Sequence, residues 1–364
     1  MPQSACNNRI TKSLVFKGPK GGIKMSGTYH PSRRTFLRTA LAGGAALTAL
    51  DPFTQAFAAY PDSNIDVVIP TRAGGGADRL FRAVTSVWKT HLKTNFQPGF
   101  YPGASGRVGY EVFMGKKEPN AYNLLFGNMG PELLNWVVKK PSFPIADCVY
   151  FGRIDNDAAC IFVSAKSKFK TIDDIVAEGK KRQLNVGTSR LAHPASIGVL
   201  ALAEHTGAKF NLIPLSGGKN TIAGALTGEV EFSALPASSV VASGDTTRAL
   251  LIFDESNPVP AKLNNAPTMN AHFKTKLPPL LSSRAFAIHK AAIDKYPDRF
   301  KALQESLKKT AEDPALKEQI KKAGSDPAFL HFGGLEACKK FTEQTLELGE
   351  HYKALLTGKS KKKS

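Results

Sequence analysis

The sequence predicts an α/β chain of two lobes, each built on an open, mostly parallel sheet, with a hinge between them. Three observations carry this. Short apolar or β-branched runs alternate with amphipathic helical runs along residues 65–356. Glycine turns join strand to helix twice, at Gly74-Gly75-Gly76 and at Gly217-Gly218. Late in the chain, Arg284-Ala285-Phe286-Ala287-Ile288 supplies one more apolar strand before the closing helices, and it returns to the first lobe. Alternating strands and helices put ligands at the carboxyl ends of the strands. Two such sheets crossed by two connections form a hinged cleft.

The first segment is a leader. Ser32-Arg33-Arg34-Thr35-Phe36-Leu37-Arg38 follows the twin-arginine export pattern and precedes a mildly apolar run over 39–50. That run is too short and too glycine-rich for a permanent anchor. Ala56-Phe57-Ala58 then offers small residues for cleavage. Residues 1–24 fit no leader pattern, and Met25 is an alternative start. Residues 1–59 are set apart from the fold, and delivery to the periplasm by the twin-arginine route is expected.

Lobe 1 is expected to take residues 60–160 and 282–364, and lobe 2 residues 161–281. In lobe 1, Ile65-Asp66-Val67-Val68-Ile69 reads as a buried strand, and the glycine turn leads into a helix. Leu80, Phe81, Val84, Val87, Trp88 and Leu92 recur on one face of that helix. A strand over 94–97 runs into a Pro/Gly loop, 98–106, and a helix over 108–114 follows. Tyr122-Asn123-Leu124-Leu125-Phe126 is a third strand, with Asn128-Met129-Gly130 as its exit loop. Residues 148–154 and 158–164 are further strands, the second leading into lobe 2.

Lobe 2 repeats the logic. Leu184-Asn185-Val186-Gly187-Thr188 is a strand, and Pro194 suits the first turn of the next helix, where its missing N–H costs nothing. Strands over 210–214, 230–235 and 248–253 flank a helix over 221–227. Helices over 297–310, 314–323 and 335–356 finish the fold, and the Lys-rich tail 359–364 is a solvated end.

The formal net charge is +19. Removing residues 1–59 takes away eight Lys/Arg and one Asp and leaves +12. That excess suits an anionic ligand or a negatively charged partner surface. Zinc patterns, Arg-rich helices and aromatic–basic alternation are absent, so nucleic acid is not the expected partner. The turns match neither G-x-G-x-x-G nor a phosphate loop ending in Gly-Lys-Ser/Thr, so no nucleotide cofactor is expected. No metal-ligand spacing is visible. With Cys6 removed in the leader, Cys148, Cys160 and Cys338 remain, an odd set that leaves at least one free thiol, and Cys148 and Cys160 read as buried small hydrophobes rather than a bridge. Ser105 stands in Ala104-Ser105-Gly106, not in a nucleophile elbow.

The mature chain resembles the substrate-binding receptors of the tripartite tricarboxylate transporters, which are periplasmic type II solute-binding proteins. The residues that carry the likeness are 70–78, Tyr101-Pro102-Gly103-Ala104-Ser105-Gly106, 119–125, Gly217-Gly218 with Gly228-Glu229-Val230, Gly244 with Arg248, and Pro267-Thr268. The resemblance implies two α/β lobes that close on a small organic carboxylate and present it to membrane transporter subunits or a sensor protein. It also implies a non-enzymatic role without a cofactor. In the family, the loop after the first strand and its counterpart in lobe 2 hold the carboxylate, partly through waters.

Those loops supply the candidate site: Thr71, Arg72, Ala73, Gly74, Gly75, Gly76 and Asp78 in lobe 1, and Thr188, Ser189, Arg190, His193 and Pro236 in lobe 2. Glycine lets an anion approach the backbone N–H groups at a helix start. Arg72 and Arg190 replace small residues of the family and could clamp a carboxylate. His193 either caps the helix at Pro194 or, protonated, donates to the anion. Asp78 would brace its loop, because like charges repel. Other departures stand nearby: Thr71 where the family often has an aromatic, Ala77 for Thr or Ser, and Leu215-Ser216 for a Tyr-Lys/Arg pair. The rival readings are a secreted α/β hydrolase or transferase, which needs a nucleophile beside a base, and an extracellular binder of anionic polymers.

Overall fold

The computed structural model describes residues 60–357. The leader, its Arg33-Arg34 pair and the lysine tail lie outside the described residues. Strand β1 (Ile65–Ile69) buries Ile65, Val67, Val68 and Ile69, as a strand covered on both faces must. Helix α1 (Gly76–Leu92) buries the expected face, and Trp88 donates its indole N–H to Ser306 at 2.8 Å. The first lobe continues with β2 (Phe96–Phe100), α2 (Arg107–Lys116), β3 (Asn123–Asn128), α3 (Met129–Val138) and β4 (Cys148–Asp155).

The chain then crosses into β5 (Ala159–Ser164), α4 (Ile172–Lys181), β6 (Leu184–Thr188), α5 (Pro194–Thr206) and β7 (Phe210–Pro214). It goes on through α6 (Gly218–Thr227), β8 (Phe232–Pro236), α7 (Ala237–Ala242), β9 (Thr247–Ile252) and α8 (Met269–Phe273). It returns as β10 (Arg284–His289), α9 (Lys290–Lys295), α10 (Pro297–Glu312), α11 (Pro314–Lys322), β11 (Leu330–Gly333), α12 (Leu335–His351) and α13 (Lys353–Leu356).

Two sheets result, ordered β11-β4-β10-β3-β1-β2 and β7-β6-β8-β5-β9. The α/β class and the two sheets are as expected. The mostly parallel pairing is corrected to a mixed one. Strand β1 runs parallel to β2 and β3, and β6 parallel to β7 and β8. However, β10 is antiparallel to β3 and β4, β11 to β4, and β5 to β8 and β9. Direction of entry explains this. Strands reached through their own helices run parallel. Strand β5 enters directly from β4, and β10 from the strap after α8; each starts where a strand of its new sheet ends, Ala159 facing Pro236 of β8 and Arg284 facing Asn128 of β3.

The two crossovers lie side by side. Ala158 bridges Leu281, and the Ser282 N–H donates to the Asp157 carbonyl at 2.9 Å. Helix α3 packs on the returning strap, with the Met129 N–H donating to the Ser283 carbonyl at 2.8 Å. A Cβ on Gly130 would lie 2.1 Å from the Leu281 carbonyl oxygen, so this contact needs glycine.

Some local expectations shift. The exit loop at Asn128-Met129-Gly130 is instead the start of α3, because Pro131 fits a first helical turn. Strand β2 runs through Pro98 and Gly99 to Phe100, which its edge position permits. Helix α4, capped by a reciprocal Thr171–Asp174 box, carries no counterpart in the sequence reading. Cys148, Cys160 and Cys338 are free and buried.

Candidate functional site

Strands β1, β3, β6 and β8 all end at one cleft between the sheets. Three helices open there: α1 after β1 and Gly75, α3 after β3 and Asn128, and α6 after β7 and Gly217. None of these starts has a side-chain cap, so the partial positive charge of three helix ends falls at the cleft, although the first amide of α3, on Met129, already donates to the Ser283 carbonyl. One part of the cleft, of about 530 Å³, is lined by Thr71, Arg72, Gly75, Gly76 and Ser238 among others. The adjoining part, of about 500 Å³, is lined by Ser189, Arg190, His193, Gly217 and Pro236 among others. Asn128, Gly218, Ser239 and Arg284 line both.

The first turn is held from within. Gly74 takes a left-handed φ of 77° and donates its N–H to Asp78 at 2.8 Å. Asp78 also accepts from Arg82 at 2.7 Å, so this buried carboxylate braces the loop. The Thr71 hydroxyl is buried and has no hydrogen-bond partner among the described residues. Arg72 is exposed and forms no ion pair among them. Ala73, Gly74 and Asp78 shape the turn rather than line the cavity.

In the second lobe Thr188 is buried under its loop, bonded to the Ser196 hydroxyl at 2.8 Å and to the Arg190 carbonyl at 3.1 Å. The Ser189 carbonyl accepts from the Gly217 N–H at 3.2 Å, which ties the two glycine-side turns together. His193 resolves to its capping role. Its Nδ1 accepts from the Ala195 N–H at 3.1 Å, so Nε2 carries the proton and meets the Ser282 hydroxyl at 3.1 Å. Burial and the neighbouring Arg190 push its pKa down to about 3, which favours the capping alternative over the protonated donor. Arg190 reaches across the cleft to the first lobe: Nη1 donates to the Ser105 carbonyl at 2.8 Å, and Nη2 lies 3.5 Å from Glu132.

Residues 99–345 match the pattern of the tripartite tricarboxylate transporter family receptors, TctC. The chain belongs to that family. A TctC solute-binding protein from Polaromonas is 23% identical, with a TM-score of 0.67 over 82% of this chain and 99% of that one. MatC from Rhodopseudomonas palustris with bound malate is 14% identical, with a TM-score of 0.61 over 80% and 99%. A second R. palustris protein, with adipate, is 16% identical, with a TM-score of 0.65 over 82% and 98%. At these identities the likeness is one of fold. A protein in the TAR-I ttuE-ttuC' intergenic region of Agrobacterium vitis is 27% identical over 173 residues. That match covers 47% of this chain and about half, 50%, of the relative.

One central residue of this TctC-family cleft escaped the sequence reading. Arg284 opens β10 and lines both parts of the cavity. Its guanidinium pairs with Asp155 through Nη1 and with Asp157 through Nη2 at 3.3 Å, while Nε has no partner among the described residues. Asp157 in turn accepts the N–H of Ser238, at 2.9 Å, and its hydroxyl. Burial pushes the Asp155 carboxyl above its ordinary range, and the guanidinium pulls it back. Arg284 Nη2 lies 3.7 Å from where a Gly76 Cβ would stand, an ordinary van der Waals contact that places the guanidinium beside the first turn of α1. The available signal was an arginine at the cleft end of an otherwise apolar strand.

Proposed function

We propose that this protein is an exported, non-enzymatic receptor that captures a small organic carboxylate by closure of two lobes. It then delivers the ligand to a tripartite tricarboxylate-type transporter or to a sensor. The observation that supports this best is the convergence of three uncapped helix starts and Arg284 on one cleft between two sheets. Amide groups and a fixed guanidinium suit a carboxylate. Thr71, Arg72, Gly75, Gly76, Ser189 and Pro236 contribute the walls that meet it, and Ala73, Gly74, Asp78, Thr188 and His193 hold those walls in shape. The closing bodies are residues 60–160 with 282–364, and 161–281. Closure is a population shift driven by contacts that exist only when both walls touch the ligand.

A panel of small carboxylates, malate and adipate included, tests this reading. A binder of the native state alone raises the melting temperature by mass action, and calorimetric titration then gives its affinity. A panel without a single stabilising acid would refute the carboxylate reading, and recovery of altered ligand would favour a hydrolase. With the best acid, Arg72→Ala is expected to weaken binding about tenfold or more, the loss of a charge-assisted contact. Unchanged affinity would place Arg72 outside the ligand's reach.

Export is tested separately. Replacing Arg33 and Arg34 by Lys should retain the protein in the cytoplasm, followed by fractionation. Normal periplasmic delivery of that variant would exclude the twin-arginine route.

A further inference from the structure

Building on the receptor reading, we propose that Arg190 is a positioning residue that latches the two walls of the cleft together in a proton-dependent way, with the Ser105 carbonyl and Glu132 carboxylate as its receiver.

The receiver is built within the first lobe. Glu132 sits in the first turn of α3, only 3% exposed, and its carboxyl rests against the turn at residues 104–106. Gly106 has a φ of 100°, and a Cβ there would lie 2.5 Å from the Glu132 carboxylate, so only glycine admits the arrangement. Asn135 donates to the Ser105 carbonyl at 3.0 Å and to Glu132 at 3.4 Å. Both acceptors are thus oriented before the second lobe arrives. Arg190 brings one nitrogen to each, the fork geometry that suits a guanidinium.

The latch responds to protons through Glu132. Arg190 faces it from the loop after β6, Asn135 from its own helix, Tyr110 from α2 and Tyr150 from β4. The two phenols share a hydrogen bond and stay neutral, because burial pushes both far above their ordinary value. Burial also pushes Glu132 up to about 7. Above that value Arg190 meets a carboxylate; below it, a neutral acid. The latch therefore tightens as pH rises.

Spin labels on Lys89→Cys and Lys180→Cys report the separation of the lobes in the chain without residues 1–59; both sites are exposed, and Cys148, Cys160 and Cys338 are buried. Distances are measured by pulsed electron resonance without ligand, at about pH 5.5 and about pH 8.5. The closed population is expected to fall about fivefold at the lower pH. Glu132→Gln, nearly isosteric, should abolish the pH difference, and Arg190→Gln should leave the open form at both values. A distance distribution that ignores pH, or a pH response that survives in Glu132→Gln, would overturn the latch. The measurement needs no ligand, so failure of malate or adipate to bind would sink the receptor reading alone. Retained binding without a pH response would sink the latch alone.

Discussion

Arg284→Ala is expected to lower the stability of the protein by about 3–5 kcal/mol and to abolish carboxylate binding. The size follows from what the substitution leaves behind. Asp155 is 3% exposed and Asp157 fully buried, and both lose their counter-ion at once. A stranded buried carboxylate is far costlier than a lost surface pair, which is worth under about 1 kcal/mol. The deficit should shrink as pH falls, because the buried Asp155 carboxyl, no longer held down by the guanidinium, then takes up a proton in the folded state. Urea unfolding at neutral and mildly acidic pH measures both effects. Adding Asp155→Asn to Arg284→Ala should recover part of the loss. A single-variant deficit below about 1 kcal/mol would show that the guanidinium is no more than a surface charge.

Glu132→Gln should do the opposite at alkaline pH. The Glu132 carboxyl is raised from an ordinary 4.5 to about 7 by burial, with Arg190 and Asn135 pulling partly back. The folded state therefore holds this proton more tightly than the unfolded chain. Its contribution favours folding below about 4.5 and is lost as pH rises through about 7. The two values differ by enough to place the alkaline cost at about 3 kcal/mol. Glutamine carries no such charge. The variant is expected to gain up to about 3 kcal/mol over the parent at pH 8 and almost nothing at pH 4. Paired urea titrations at the two pH values check this. A gain independent of pH would mean that the carboxyl titrates as it does in water. A residue that costs stability in this way is suited to a conformational task, since buried charges often serve specificity better than stability.

The sequence was most legible where the pattern is local. The β-branched run of β1, the glycine turn and the apolar face of α1 are adjacent in the chain, and each has its own physical signature. Pro194 likewise marked the start of α5. Strand direction was not legible, because β10 pairs with β3 across more than a hundred residues and local periodicity carries no direction. Helix α3 was misread because Gly130-Pro131 resembles a turn, while the reason for Gly130 is a close approach to Leu281 from a distant strap. Arg190 stood on the loop that was singled out, yet its receiver, Glu132, lies 58 residues earlier. Arg284 was passed over for the same reason: Asp155 and Asp157 precede it by 129 and 127 residues. His193 had two readings, and only its burial among Ala195, Ser282 and Arg190 separates them.

The paired crossovers also set an order of assembly on the ribosome. All five strands of the second sheet lie within residues 159–252 and can pair as soon as that stretch has emerged. The first sheet cannot. Strand β10 fills the gap between β3 and β4, and it is synthesised only after the whole second sheet. A nascent chain that ends just short of Arg284 therefore carries β3 and β4 with facing edges unpaired. Open edges of this kind invite mispairing with other chains. Until β10 has emerged, the first sheet exposes these two edges, whereas every strand of the second sheet already has its neighbours available.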